Sequence, residues 1–430
     1  MRCPTLKELP PPPEGKTGWP WTEESSQLPD VTPKGKPWPK ITVVTPNYNY
    51  AQFIEETMRS VLLQGYPNLE YIILDGGSTD ASIEIIKKYE PWLAHWRTEP
   101  DEGQTDAINK GFVMAKGTIL AWINSDDIYY PDAFKKASVV LEDNPELALV
   151  HGDIMLIDEN SALICRWKSH KISLQDMLMG SFIQQTSSFF RKAAIESIGY
   201  LDKRLQYVMD YDLWLKIITR YPNTYIPEVL GCARQHEAAK TGLSQYKYWE
   251  ELIELLTDFS DQSISKAYLD KALGFMHMMA GFTYLRVNET SKVVEHFRAA
   301  IAKRFFTKKT ARVVTSWTMG FLSSSRDLGN FLTEIEQLEM RLKSLVCLPS
   351  HFWKALYAAR ELKRADEGFK QKNRKAVCRH IFGAFRLTPS LVLKKYFWRL
   401  VIFGLLGPKV LVNSARLKKS FFIFKLFPRC

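Results

Sequence analysis

Five short polar runs stand out against apolar surroundings in this chain. They are Thr45-Pro46-Asn47-Tyr48-Asn49, Asp75-Gly76-Gly77-Ser78-Thr79-Asp80, Glu99-Pro100-Asp101-Glu102-Gly103-Gln104, Asn124-Ser125-Asp126-Asp127 and Met209-Asp210-Tyr211-Asp212. Carboxylates accept hydrogen bonds at both oxygens and amides both donate and accept, so such runs suit a hydroxyl-rich ligand. Gln184-Gln185-Thr186-Ser187 has the same character. Each run also has a plain structural reading. Ser78 or Thr79 can cap a helix, Asp-Glu-Gly is turn chemistry, and Asp210 and Asp212 can complement a helix dipole. Residues two apart on a helix do not share a face, so Asp210 and Asp212 cannot both aim at one acceptor.

The elements that must position these runs follow from periodicity. Strands are expected at about 41–45, 70–74, 94–98, 118–123 and 147–151. Helices are expected at about 51–64, 80–90, 104–115 and 131–143, where apolar residues recur at three-and-four spacing. Strand alternating with helix is the pattern of parallel βα units. In such sheets ligands bind outside the carboxyl ends of the strands, and the first four runs sit there. Beyond about residue 250 helices dominate, and two stretches at 280–301 and 365–385 share a loose helix-turn-helix arrangement. Two copies are too few for a solenoid.

Residues 41–49, 74–80, 106–117, the Asn124 to Asp127 run and residues 210–215 together resemble the family 2 glycosyltransferases of the GT-A fold. The resemblance spans roughly half the chain. It implies an α/β fold, a GT-A-like mostly parallel sheet flanked by helices, followed by a helical C-terminal domain. The expected division is a Pro/Trp-rich arm over 1–40, the GT-A domain over 41–245 and a basic, mainly helical region over 246–430.

By that resemblance, Thr45, Pro46, Asn47, Asn49, Asp101, Gln104, Asn109, Asn124 and Ser125 belong to the donor site. Asp75 accepts from the nucleobase or ribose, with Gly76-Gly77 letting the ligand approach the backbone. Asp126 is the metal-binding end of an Asp-x-Asp motif, and oxygen ligands imply Mn2+ or Mg2+. Asn124 stands where the family commonly has a first aspartate. Asp127 is a second ligand or a loop cap. Asp210 aligns with the base that deprotonates the acceptor, and Met209 replaces its usual glutamate neighbour. Arg234, His236 and Lys240 resemble a basic loop over the diphosphate, with a metal-ligand or a plain surface reading open for His236.

The implied reaction is an inverting single displacement from a nucleoside-diphosphate sugar, a UDP sugar above others, to a hydroxyl acceptor such as a glycan or lipid-linked glycan. A nucleotidyltransferase is the weaker rival, since no glycine-rich loop with a basic residue follows the first strand. A non-catalytic nucleotide-sugar-binding protein is the other, motivated by Asn124 and Met209.

Charge divides the chain. Residues 301–430 hold 27 Lys/Arg against 7 Asp/Glu, whereas residues 1–300 hold 31 against 40. A basic tail interleaved with aromatic residues fits an anionic membrane surface, or cations that simply solvate helix faces, and nucleic acid fits less well. The six cysteines form no C-x-x-C pair, and there is no apolar run of signal or spanning length. A cytoplasmic protein, peripheral on the inner membrane face, is the expectation. Residues 1–40 are rich in proline with Trp19, Trp21 and Trp38, so an extended arm without its own core is expected, docked by its tryptophans.

Overall fold

In the first hundred and thirty residues, apolar runs too short for helices alternate with amphipathic segments, and this produces one side of a single twisted sheet. The computed structural model describes residues 1–236, 245–287, 289–307, 310, 314–315, 336–337, 339–344, 346–371 and 373–388. The chain divides into two compact units between Glu251 and Leu252.

In the first unit, β1 (Ile41–Asn47), β2 (Leu69–Asp75), β3 (His95–Thr98) and β4 (Ile119–Trp122) run parallel in the order β3-β2-β1-β4. Every residue of β1, β2 and β4 is buried. That explains their near-continuous apolar sequence, since both sheet faces are covered. Helices α1 (Ala51–Leu62), α2 (Ser82–Lys88), α3 (Gln104–Met114) and α4 (Ala133–Asp143) supply the cover. α3 lies so close to β1 that a Cβ at Gly111 would sit 2.5 Å from Val44 Cγ1.

Beyond β4 the topology changes. The short β5 (Ile128–Tyr129), β6 (Leu149–Ile157), β7 (Leu163–Trp167), β8 (Ser188–Arg191) and β9 (Asn223–Arg234) continue the sheet as β4-β8-β6-β9-β5, with β7 hydrogen-bonded to β6. β8 is antiparallel to both β4 and β6, so β6 is not the direct neighbour of β4 that a pure βα alternation would make it. α5 (Leu174–Leu178), α6 (Lys192–Ile198) and α7 (Met209–Arg220) complete the unit. Trp214 of α7 stacks on Trp122 of β4 at 5.5 Å between ring centroids. That contact fixes where the start of α7 points.

Residues 1–40 pack on this unit. Cys3, Leu9, Leu28 and Trp38 join its core and Trp21 is buried beside them. Trp19 Nε1 donates to Tyr129 O at 2.8 Å. The fully buried Arg59 of α1 donates to the carbonyls of Pro10, Pro20 and Trp21 and to Tyr89 Oη. A cation left unpaired in the core would cost several kcal/mol, about 3–5 by analogy with a broken buried ion pair, so the arm and α1 hold each other in place.

The second unit is mainly helical among its described residues and contains two helical pairs. Lys266–Arg286 packs on Thr290–Ala302, and Ser350–Lys370 on Arg374–Leu387. No described helix is long and apolar enough to cross a membrane.

Candidate active site

Three adjacent parallel strands end in register with polar residues, Asn47 on β1, Asp75 on β2 and Thr98 on β3. Asp75 is buried and accepts from Asn47 Nδ2 (2.7 Å), Ser78 Oγ (2.5 Å), Ser78 N (2.9 Å), Gly77 N (3.1 Å) and Thr98 Oγ1 (2.7 Å). Burial alone would raise its pKa, but the bonds from Ser78, Thr98 and Asn47 to the ionised form outweigh it and hold the carboxyl below its ordinary value. The family resemblance gives Asp75 a ligand role. Its oxygens are already filled by the chain, so a ligand donor reaches it only by displacing one of these bonds. Asn47 Oδ1, in contrast, is buried without a donor.

Neither Ser78 nor Thr79 caps α2, whose N-cap is Ala81 without a side-chain bond. Ser78 instead braces Asp75 and accepts from Asn49 N, while Asn49 Oδ1 accepts from Thr79 N at 2.8 Å. Asn49 thereby ties the two strand-end loops together. Asp101 lies over the same corner, where a Cβ at Gly76 would come within 3.0 Å of its Oδ2.

The second cluster lies on the loop between β4 and β5. Asn124 Oδ1 accepts from Gln104 Nε2 at 2.7 Å, and Asp126 Oδ2 lies 3.1 Å from His236 Nε2. The Asp126 side chain is 17% exposed and that of His236 4%. Rings of Tyr50 and Phe53, at 5.9 and 5.0 Å, hold the imidazole. Burial first, then the charges of Asp126 and Asp127, push the Tyr50 hydroxyl up to about 12. Asp127 turns inward, accepting from Arg234 N at 2.9 Å and Thr186 Oγ1 at 3.3 Å. Burial and then the neighbouring Asp126 charge raise its pKa. Its oxygens thus serve the loop.

Several expected donor-site residues are bonded within the fold. Arg234 is not on a loop but ends β9. Its buried guanidinium pairs with Glu56 at 2.9 Å, lies over Phe53 and donates to Asp126 O and Ser161 Oγ. Thr45 Oγ1 is bonded to Tyr71 Oη inside the sheet, and Pro46 is buried opposite Leu74. Asn109 clamps both backbone groups of Leu201. Ser125 is buried and its carbonyl accepts from Thr57 Oγ1. Gln185 and Thr186 are likewise turned inward, onto Trp122 O and Asp127. Lys240 lies outside the described residues.

The third element is the start of α7. Asp210 Oδ1 accepts from Tyr211 N at 2.8 Å, and burial pushes the half-buried carboxyl up to about 6. Asp212 points elsewhere and pairs with Lys216 at 2.6 Å. Met209 is buried, with its sulfur 2.8 Å from Thr105 Oγ1. This apolar seat under α3 suits a thioether better than a carboxylate. The first turn of α3 therefore bridges the site, Gln104 reaching Asn124 and Thr105 reaching Met209.

Glu251, unnoticed in the sequence, accepts from the amides of Gln206, Tyr207 and Val208 at 2.6–2.8 Å. Those donors precede the first turn of α7, so this distant carboxylate pins the loop that leads into the helix. Glu56, Tyr50 and Phe53 were missed as well. An acid on the apolar face of α1 was the available signal for Glu56.

Among the described residues no group of three or more His, Cys, Asp or Glu is arranged to hold a metal. The donors at hand are the Asp126 carboxylate, the His236 imidazole and the Asn124 carbonyl. That set suits a cation whose remaining ligands are phosphate oxygens and water.

Residues 42–198 match the model of the family described as glycosyl transferase family 2. An uncharacterised glycosyltransferase of Rickettsia typhi is 30% identical over 226 residues, covering 50% of this chain and 70% of that protein. One of Rickettsia prowazekii is 29% identical over 224 residues, with the same coverage. Among solved structures, Staphylococcus aureus TarS 1-349 in complex with UDP-GlcNAc is similar at 16% identity and a TM-score of 0.47, over 82% of this chain and 91% of that one.

Proposed function

Because the chain belongs to glycosyl transferase family 2, we propose that it moves a sugar from a nucleoside diphosphate to a hydroxyl acceptor with inversion, and that Asp210 is the base. The observation that carries this reading is the contrast at α7. Burial raises both of its acids, but Asp212 is ion-paired with Lys216, whereas Asp210 has backbone amides alone and is pushed up to about 6. A carboxylate poised there is ionised at neutral pH yet basic enough to take a hydroxyl proton as the oxygen attacks.

A UDP sugar is the donor class favoured by the family resemblance, and a glycan or lipid-linked glycan of the cell envelope the favoured acceptor. Asn47 meets the nucleoside end, its Oδ1 free to accept an N–H that the chain does not supply, and Asp75 holds it in place through Nδ2. Asp126 and His236 would hold Mn2+ or Mg2+, which supplies Lewis-acid stabilisation of the diphosphate leaving group. Gln104 keeps Asn124 fixed beside them. His236 and Asp126 close against each other, so their separation is the coordinate that donor binding would change.

Calorimetric titration with UDP, with and without Mn2+, tests the donor half. Binding that strengthens with Mn2+ and is lost in Asp126→Ala is the expected result. Equal binding with and without metal in both proteins overturns the metal assignment, and no binding of any nucleoside diphosphate overturns the donor reading.

A further inference from the structure

The helix Arg374–Leu387 contains no Asp or Glu. Its inner face is set by Val377, Ile381 and Ala384, all buried at four-and-three spacing. His380 Nδ1 lies 2.8 Å from Glu361 Oε2 on the partner helix Ser350–Lys370. The glutamate also holds Arg364 at 3.1 Å. A Cβ at Gly383 would come within 3.1 Å of Glu361 Oε2, so the two helices meet closely along this side.

The opposite side is unlike an ordinary solvated helix face. Lys375, Arg379, Phe382 and Arg386 recur at four-three-four spacing and are all exposed. Phe382 is 68% exposed and Phe385, a turn farther, 38%. Surface phenylalanines occur singly in many proteins. Here an exposed ring is centred among three cations on a stripe without an acid.

We infer that this stripe is a docking surface for an anionic lipid bilayer. Phe382 enters the headgroup–acyl boundary, and the three long cationic side chains extend beside it to lipid phosphates. Single-stranded nucleic acid would also meet the charge. The stripe, however, offers no Asn, Gln, Ser or Thr to contact sugars and base edges. Its apolar centre gains most from a medium that excludes water. The inference stands on this helical pair alone and does not depend on the donor chemistry.

Co-sedimentation of the full chain with phosphatidylcholine vesicles, alone or with about one quarter phosphatidylglycerol, tests it. Binding only to the anionic vesicles, weakened by salt, is expected. Phe382→Ser and the pair Arg379→Glu, Arg386→Glu should each weaken it by about tenfold or more, and Phe382→Leu should retain it. Unchanged melting of the variants excludes misfolding as the cause. Binding unaffected by these substitutions, or equal binding to neutral vesicles, overturns the proposal. So does a preference for single-stranded RNA that survives Phe382→Ser.

Discussion

Two aspartates on one unit stand in opposite surroundings. At the end of β2, Asp75 is wrapped by five donors and held below its ordinary pKa. At the start of α7, Asp210 has the Tyr211 amide and is pushed up to about 6. Asp75 is buried and Asp210 half-buried, so exposure alone would give the opposite order; the number of donors addressing each carboxylate explains it. A carboxylate that anchors a fold is saturated by its own chain. In the role proposed for it, Asp210 is left short of partners, and the folded state bears that as a loss of stability.

The largest expected effect tests the base. Asp210→Asn should lower transfer about a hundred- to ten-thousand-fold while UDP binding persists, measured as nucleotide release and by calorimetry. In the unsubstituted protein the rate should fall as pH drops through about 6, where Asp210 takes up its proton, and Asp210→Asn should lack that limb. A variant with full turnover would remove Asp210 from the mechanism.

Next in size is Asp75→Asn, which removes the charge that several donors address. A loss of about 2–3 kcal/mol is expected, read from the midpoint of urea unfolding. The sign agrees with its depressed pKa. The ionised form stabilises the fold above the ordinary carboxylate value, and that contribution is lost as pH falls through the lower, folded value.

The same substitution at Asp210 should act the other way, raising stability at pH 7 by about 1 kcal/mol, since it removes a poorly solvated charge. A pKa raised from 3.8 to about 6 means that the folded state binds the proton first. The contribution of this group to stability therefore improves as pH falls from about 6 toward 3.8, while catalysis declines. If the two asparagine variants shift stability in the same direction, the contrast fails. The smallest effect belongs to Asp212→Asn, expected within about 0.5 kcal/mol and without loss of turnover, because its partner Lys216 is partly exposed.

Local pattern made much of this legible before any coordinates. β1, β2 and β4 are apolar runs ended by polar clusters, and those endings do lie along one sheet edge. The far half of the sheet was harder to read. β8 has four residues, β5 has two, and β9 contains Pro227 and register irregularities against β6, so none carries a clean period-two signal. The roles of Arg234 and Glu251 were hidden for another reason. Glu56 is 178 positions from Arg234, and the loop amides held by Glu251 lie 43–45 positions away. No local window connects them. Sequence spacing nominates polar residues but does not tell which are bonded within the fold, as Thr45, Asn109 and Arg234 are.

The buried guanidinium of Arg59 has a consequence for the order of events on the ribosome. The carbonyls of Pro10, Pro20 and Trp21 are synthesised well before the helix that carries their donor, and the arm has too little apolar surface to order alone. The arm must therefore wait for α1 and the strands beside it, remaining accessible to chaperones and proteases until they form.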